Sequence, residues 1–399
     1  MDWIELFVVL LLISAIAAVA ARRLRLQYTL VLLILGLLLG ASGLLPQLDL
    51  TSELILLLFL PPLLFEAAFA LDLALLWRQR RGVLTLALPG TLLATLIGGA
   101  LVAWAGILPP RVAFVFGAMI AATDPVAVLA TFRQLRASPE LTVLMEGESL
   151  FNDGIALSLF LTLVAATTGT LTAPRAIGDF LLTVLGGALL GLLIGWLGHY
   201  LIALVDEHLI EMTVSVAVAY GAFLAAEHLH LSGVIATLAA AMTLSRLGRT
   251  RGWVLSDNSE RLLDDLWTYL AFVANAALFL LMGLAAPGAG ITTYPGHVLW
   301  GILAALLGRA VVAYLLGSLP ARLGFCLTWP ERHIVFWGGL RGAVALAAAL
   351  SLPHSFPARP QLLAMTYGVV LFTTLIQGLT IAPLARRLGI VIPPSLAAD

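Results

Sequence analysis

Apolar runs of about 20 residues follow one another along this chain, each closed by a few polar residues, and this recurrence limits the fold more than any other feature. A run of that length crosses the roughly 30 Å hydrocarbon core of a bilayer as an α-helix. Inside lipid every backbone N–H and C=O must be paired within the protein, which leaves helices or closed barrels. The alternating ten-residue segments of a barrel are absent from the sequence. The reading is therefore an all-α integral membrane protein. Charged residues make up 11% of the chain, against about 25% in a soluble domain. The formal net charge of −1 excludes a basic nucleic-acid surface. The single Cys326 allows no internal disulfide or Cys-based metal site and reads as a small apolar filler.

Thirteen spans are expected, with approximate limits 6–21, 28–44, 53–71, 83–107, 111–131, 142–168, 179–203, 210–228, 232–247, 263–285, 296–319, 333–352 and 362–385. The first is preceded by Asp2 and Glu5 and followed by Arg22, Arg23 and Arg25. That order is the reverse of a cleavable signal, so the span should be retained with its N-terminus outside. All 21 basic side chains are arginines, and they test the count. With the N-terminus outside, sixteen fall in segments facing the cytoplasm, including Arg78, Arg80, Arg81, Arg133, Arg136, Arg246, Arg251 and Arg322. Three, Arg111, Arg175 and Arg359, fall outside, and Arg309 and Arg341 lie within spans. Such an excess is the positive-inside pattern, and one miscounted helix would invert it downstream. The C-terminus is then expected to be cytoplasmic.

Two spans carry helix breakers at membrane depth. The fifth contains Thr123-Asp124-Pro125 and the twelfth Gly338-Gly339-Leu340-Arg341-Gly342. They are seven spans apart, so they run in opposite directions, as in an inverted repeat with spans one to six matching eight to thirteen. Two discontinuous helices crossing at the midplane would bring unpaired N-termini, which suit anions, beside unpaired C-termini, which suit cations.

Ionisable residues well inside spans are Glu66, Asp124, Asp153, Arg309 and Arg341. In lipid such groups face an aqueous path or one another. The acids offer hard oxygens suited to an alkali cation, and the spans lack the His or Cys set that a transition metal prefers. Ser149, Asn152 and Asp153 share one helix face, so a hydroxyl, an amide and a carboxylate are expected to enter one cavity. Capping alone does not account for Asp124, because Ser or Asn would cap without the insertion cost of a charge. Glu66 is read as the neutralising partner of Arg309, and Glu148 as a buried partner for an arginine. Arg341 is read as a counter-charge to half-helix C-termini, and Glu146 as a solvated charge near the cytoplasmic end. HExxH, GxSxG and GxGD patterns are absent, which argues against intramembrane proteases.

Six stretches in order, LPPLLFEAAF, AATDPVAV, GESLFNDG, AEHLHLSGVIA, FVANAALFLLMGL and FWGGLRGAVALA, resemble the signatures of the monovalent cation/proton antiporters, in the branch of the NhaP proteins and sodium/hydrogen exchangers. The resemblance covers most of the chain. It implies a transporter rather than an enzyme, without a cofactor, acting as a homodimer in the cell (inner) membrane and serving pH homeostasis. Residues 83–168 and 296–388 would form a moving core, 1–82 and 208–290 the dimer-interface part, and 179–203 a connecting helix. By matching position, Asp124 and Asp153 would bind the transported cation with oxygens from Thr123 and Ser149, and Asn152 and Glu66 would be supporting residues near Arg309. Ala241-Met242 stands where many relatives keep a glycine.

The expected activity is exchange of Na⁺, Li⁺ or K⁺ for H⁺ by alternating access. Two carboxylates in a poorly solvated cavity resist being ionised together, so protons and cations compete for the same oxygens. Asn152 cannot titrate, and with Glu66 neutralised by Arg309 this leaves one alternating carboxylate and electroneutral one-for-one exchange. The alternatives are a cation channel of the same topology and, far behind, an intramembrane aspartyl hydrolase using Asp124 and Asp153.

Overall fold

The computed structural model describes residues 3–24, 27–43, 51–169, 173–205, 207–250, 257–319 and 326–390. The regular structure of the described residues is entirely helical, with no strand. In chain order the helices are α1 (Trp3–Leu24), α2 (Tyr28–Ser42), α3 (Leu60–Ala70), α4 (Leu73–Trp104), α5 (Pro110–Met119), α6 (Val126–Leu135), α7 (Pro139–Thr167) and α8 (Ala173–Ile202). They continue as α9 (His208–His228), α10 (Gly233–Thr250), α11 (Asp257–Ala285), α12 (Pro295–Leu315), α13 (Trp329–Trp337), α14 (Ala343–Leu350), α15 (Arg359–Phe372) and α16 (Gly378–Arg387). Helix occupies all thirteen apolar runs. Among the described residues, seven helical stretches are long and apolar enough to cross a membrane, which makes this a multi-pass membrane protein. Arg25, Arg251 and Arg322, three of the arginines behind the expected topology, lie outside the described residues.

Local chemistry explains where helices start and stop. Asp72 caps α4 by accepting from the N–H groups of Ala74 and Leu75, and Ser138 caps α7 through the N–H of Leu141. Thr328 and Glu331 form a capping box at α13. Small residues then set which helices approach closely. Gly187, Gly191 and Gly195 line one face of α8, and a side chain at any of them would run into the backbone at Ser232, Ala236 or Ala240, at the start of α10 and along it. Such stripes let membrane helices touch along their backbones. α2 and α11 pack the same way through Gly36 and Gly283.

The packing falls along two lines. α8, α9 and α3 pack on α10, and α2 and α3 on α11. α4 packs on α5, α7 and α12, and α15 on α12 and α14. Cys326 is exposed, just ahead of α13, and is not the buried filler expected, because it belongs to the connection rather than to a packed helix.

Candidate functional site

The site begins with two interruptions. Between α5 and α6, residues 120–125 leave the helix because Pro125 lacks an N–H and its ring excludes the preceding turn, while the residue before a proline is pushed out of helical geometry. Between α13 and α14, residues 338–342 do the same through glycine. The two breaks touch: the N–H of Asp124 donates to the carbonyl of Leu340 at 2.8 Å. Gly342 is required by this approach, since a Cβ there would collide with the Asp124 carboxylate.

Each break exposes helix ends, and side chains meet them with the fitting charge. Arg341, 2% exposed, donates through Nη1 to the carbonyls of Ala121 (2.6 Å) and Ala122 (2.9 Å), just past the C-terminal end of α5. Its own N–H donates to Thr373 Oγ1 at 3.1 Å. Asp124 Oδ1 accepts from the N–H of Val126 at 3.0 Å, at the N-terminus of α6, and its carboxylate lies against Gly342 at the N-terminus of α14. A cation at carbonyl ends and an anion at amide ends is the arrangement helix dipoles favour.

α7 supplies the third wall, and its polar residues divide between two faces. Glu148 and Asn152, four residues apart, point into the packed protein. Glu148, 1% exposed, holds Arg309 with both carboxylate oxygens, one contact to Nη1 and one to Nη2 at 2.8 Å. Arg309 Nε also donates to the Val335 carbonyl at 2.9 Å. Asn152 accepts from the Thr91 hydroxyl (2.8 Å) and donates to the Ala121 carbonyl (3.0 Å) and to Thr123 Oγ1 (3.1 Å). One step round the helix, Ser149 and Asp153 face a cavity of ≈260 Å³. Ser149 donates to the Thr123 carbonyl.

Asp124, Asp153, Thr123 and Ser149 all line that cavity. Two expectations are corrected. Asn152 does not enter the cavity with Ser149 and Asp153, because it lies on the Glu148 stripe and both ends of its amide are bonded inside the protein. Glu66 is not the partner of Arg309; it sits on α3, which packs on α10 and α11, and its side chain lines the cavity. Glu148 holds Arg309 instead.

Three cavity residues escaped the sequence reading. Glu146, expected to be solvated, lines the cavity together with the exposed Arg133, and Asn275 enters from α11. The spacing held a signal for Glu146, which lies three residues before Ser149 and seven before Asp153 and so shares their stripe. Arg133 and Asn275 carry no such local mark.

The family described as sodium/hydrogen exchanger, transmembrane, matches residues 8–387. The chain is 34% identical to the Na⁺/H⁺ antiporter NhaH of Halobacillus aidingensis, over 97% of this chain and 98% of the relative. It is 37% identical to the Na⁺/H⁺ antiporter ApNhaP of Aphanothece halophytica, over 92% and 70% respectively. Its fold is similar to that of the sodium/proton antiporter MjNhaP1 of Methanocaldococcus jannaschii, with a TM-score of 0.80 at 20% identity, covering 96% of this chain and 98% of that one.

Proposed function

The chain belongs to the sodium/hydrogen exchanger family, and on that premise we propose that it exchanges Na⁺, with Li⁺ and K⁺ as alternative cations, for H⁺ by alternating access at the cavity between the two helix breaks. The observation that carries this reading is the shared lining of that cavity by Asp124, Asp153, Thr123 and Ser149. Carboxylate, hydroxyl and carbonyl oxygens are the donors a hard alkali cation takes. Protons compete for the two carboxylates, so loading by one ion excludes the other.

The roles divide by partner. Asp124 stays ionised, because the N-termini of α6 and α14 meet its carboxylate. Asp153 alternates between proton and cation. Arg341 and the Glu148–Arg309 pair are static and keep the breaks together while the site changes sides. The cation lies at the membrane midplane, where the half-helices cross.

Exchange is one-for-one and electroneutral. Asn152 supports this, since its amide neither titrates nor reaches the cavity. Glu66 and Glu146 share the cavity with Arg133 and stand beside the exchanging site. Residues 83–168 and 296–388 form the moving core, and residues 1–82 and 208–290 the homodimer-forming part, a division supported by the two lines of packing. The protein lies in the cell membrane with its N-terminus outside, its C-terminus cytoplasmic and thirteen spans between them. Arg133 then marks a cytoplasmic mouth of the cavity. A cysteine replacing Ser138 in a Cys326→Ser background should be labelled only from the cytoplasmic side; labelling from outside would reverse this orientation.

The deciding experiment uses proteoliposomes with an imposed pH gradient, offered Na⁺, Li⁺ and K⁺ in turn. Saturable cation flux driven by the opposing gradient is expected, with a rate unchanged by a K⁺/valinomycin potential. Flux without proton movement would indicate a channel. A rate that follows the potential would show a second proton moving, and Glu66 is the carboxylate placed to carry it.

A further inference from the structure

We propose that a cleft on the lateral surface, apart from the ion site, seats one anionic phospholipid. The cleft measures ≈780 Å³ and lies between α4 and α7 on one side and α8 and α10 on the other. Its lining is almost wholly apolar, with Leu76, Leu192, Leu238 and Met242 among the contributors, and it carries two guanidinium groups, those of Arg80 and Arg246.

Arg246 lies at one end of the cleft, and Arg80, seven residues past the start of α4, lies partway along its α4 wall. Ser245, next to Arg246, donates to the Phe69 carbonyl at 2.9 Å, and Phe69 lies just ahead of the start of α4, the helix that carries Arg80. The opposite end is marked by Ile235, which packs on Gly154 of α7. From Ile235 to Leu247 the cleft follows α10 for twelve residues, or about 18 Å at the rise of an α-helix. One leaflet contributes about 15 Å of hydrocarbon. The cleft is thus one leaflet deep and apolar along most of its length, with Arg246 at one end and Arg80 on its α4 wall.

That pattern matches a phospholipid rather than a soluble ligand. Acyl chains fill the apolar length, and the phosphate meets the arginine forks, whose geometry suits phosphate oxygens. Arg80 is exposed and stacks over the Trp77 ring at 4.6 Å, with one N–H given to the Trp77 carbonyl at 2.7 Å. A guanidinium has further donors to spare. Trp77 and Trp196, 64% and 52% exposed, edge the same cleft, and tryptophan collects at the headgroup level of membranes. Basic pockets between membrane helices favour anionic headgroups over zwitterionic ones. Met242, part of the Ala241-Met242 departure, lines this seat and so acquires a role there.

Native mass spectrometry and thermal unfolding of the purified full-length protein test the proposal, with dioleoylphosphatidylglycerol and dioleoylphosphatidylcholine as probes. The wild type should retain phosphatidylglycerol and be stabilised by it in preference to phosphatidylcholine. Arg80→Gln combined with Arg246→Gln should weaken that retention at least ten-fold, and Arg80→Gln alone should weaken it in part. Ala239→Phe, which fills the cleft and leaves both arginines, should also reduce it. Equal retention of the two lipids by the wild type, or unchanged retention in the arginine and Ala239→Phe variants, would overturn the proposal. So would disulfide formation between two copies carrying Leu192→Cys in a Cys326→Ser background, since a second copy of the chain would then cover the cleft.

Discussion

Two neighbouring stripes of α7 carry nearly the same chemistry and are placed by the fold in opposite settings. On one, Glu148 and Asn152 have their polar atoms bonded to Arg309, Thr91, Ala121 and Thr123. On the other, Ser149 and Asp153 meet a cavity, and Ser149 is bonded to one residue of the neighbouring break, Thr123. The stripes are one step apart on the helix. A membrane charge whose polar atoms are all matched inside the protein holds structure together, whereas one that keeps open capacity toward a cavity is available to an ion. Composition and depth do not separate the two cases; the bonding partners do.

The sharpest test of this contrast is Asp153→Asn. It keeps the shape and removes the titratable group, so exchange should fall to background in proteoliposomes while folded yield and unfolding temperature stay near wild type. Retained exchange would move the site off this stripe. On the other face, Arg309→Met leaves Glu148 buried without its cation and should lower stability by about 3–5 kcal/mol, read as lost folded protein in thermal unfolding. Adding Glu148→Gln to Arg309→Met should restore much of that loss. Failure to restore it would mean that the Val335 contact, and not the ion pair, is what α12 depends on.

Arg341→Ala removes the donor from the Ala121 and Ala122 carbonyls. A loss on the order of 2–4 kcal/mol is expected, with activity falling alongside folded yield. Normal stability with altered ion preference would transfer Arg341 to the cavity side of the comparison. The smallest effect is expected for Ser149→Ala, which removes one neutral hydroxyl worth about 1 kcal/mol. It should raise the half-saturating Na⁺ concentration several-fold with little change in stability. A stability loss as large as that of Arg309→Met would show that the two stripes are not distinct.

Much of this molecule follows from local chemistry, which can be read along the chain. Apolar run length determines that the chain is helical and spans a membrane. Asp124-Pro125 and the Gly338–Gly342 cluster determine where two helices stop, because proline and glycine act on their own backbone. The cost of a charge in lipid singles out Asp124, Asp153, Arg309 and Arg341 before any contact is known. What the tertiary structure decided is rotation and pairing. Arg309 and Glu148 are 161 residues apart in sequence, and no spacing rule connects them or prefers Glu148 over Glu66. Which stripe of α7 faces the cavity depends on how α4, α5 and α8 pack around it, and a turn of one residue about the helix axis would exchange Asn152 for Asp153. Arg133 and Asn275 reach the cavity for the same reason, brought there by helix packing that a linear pattern does not contain, whereas Glu146 shares the spacing of Ser149 and Asp153.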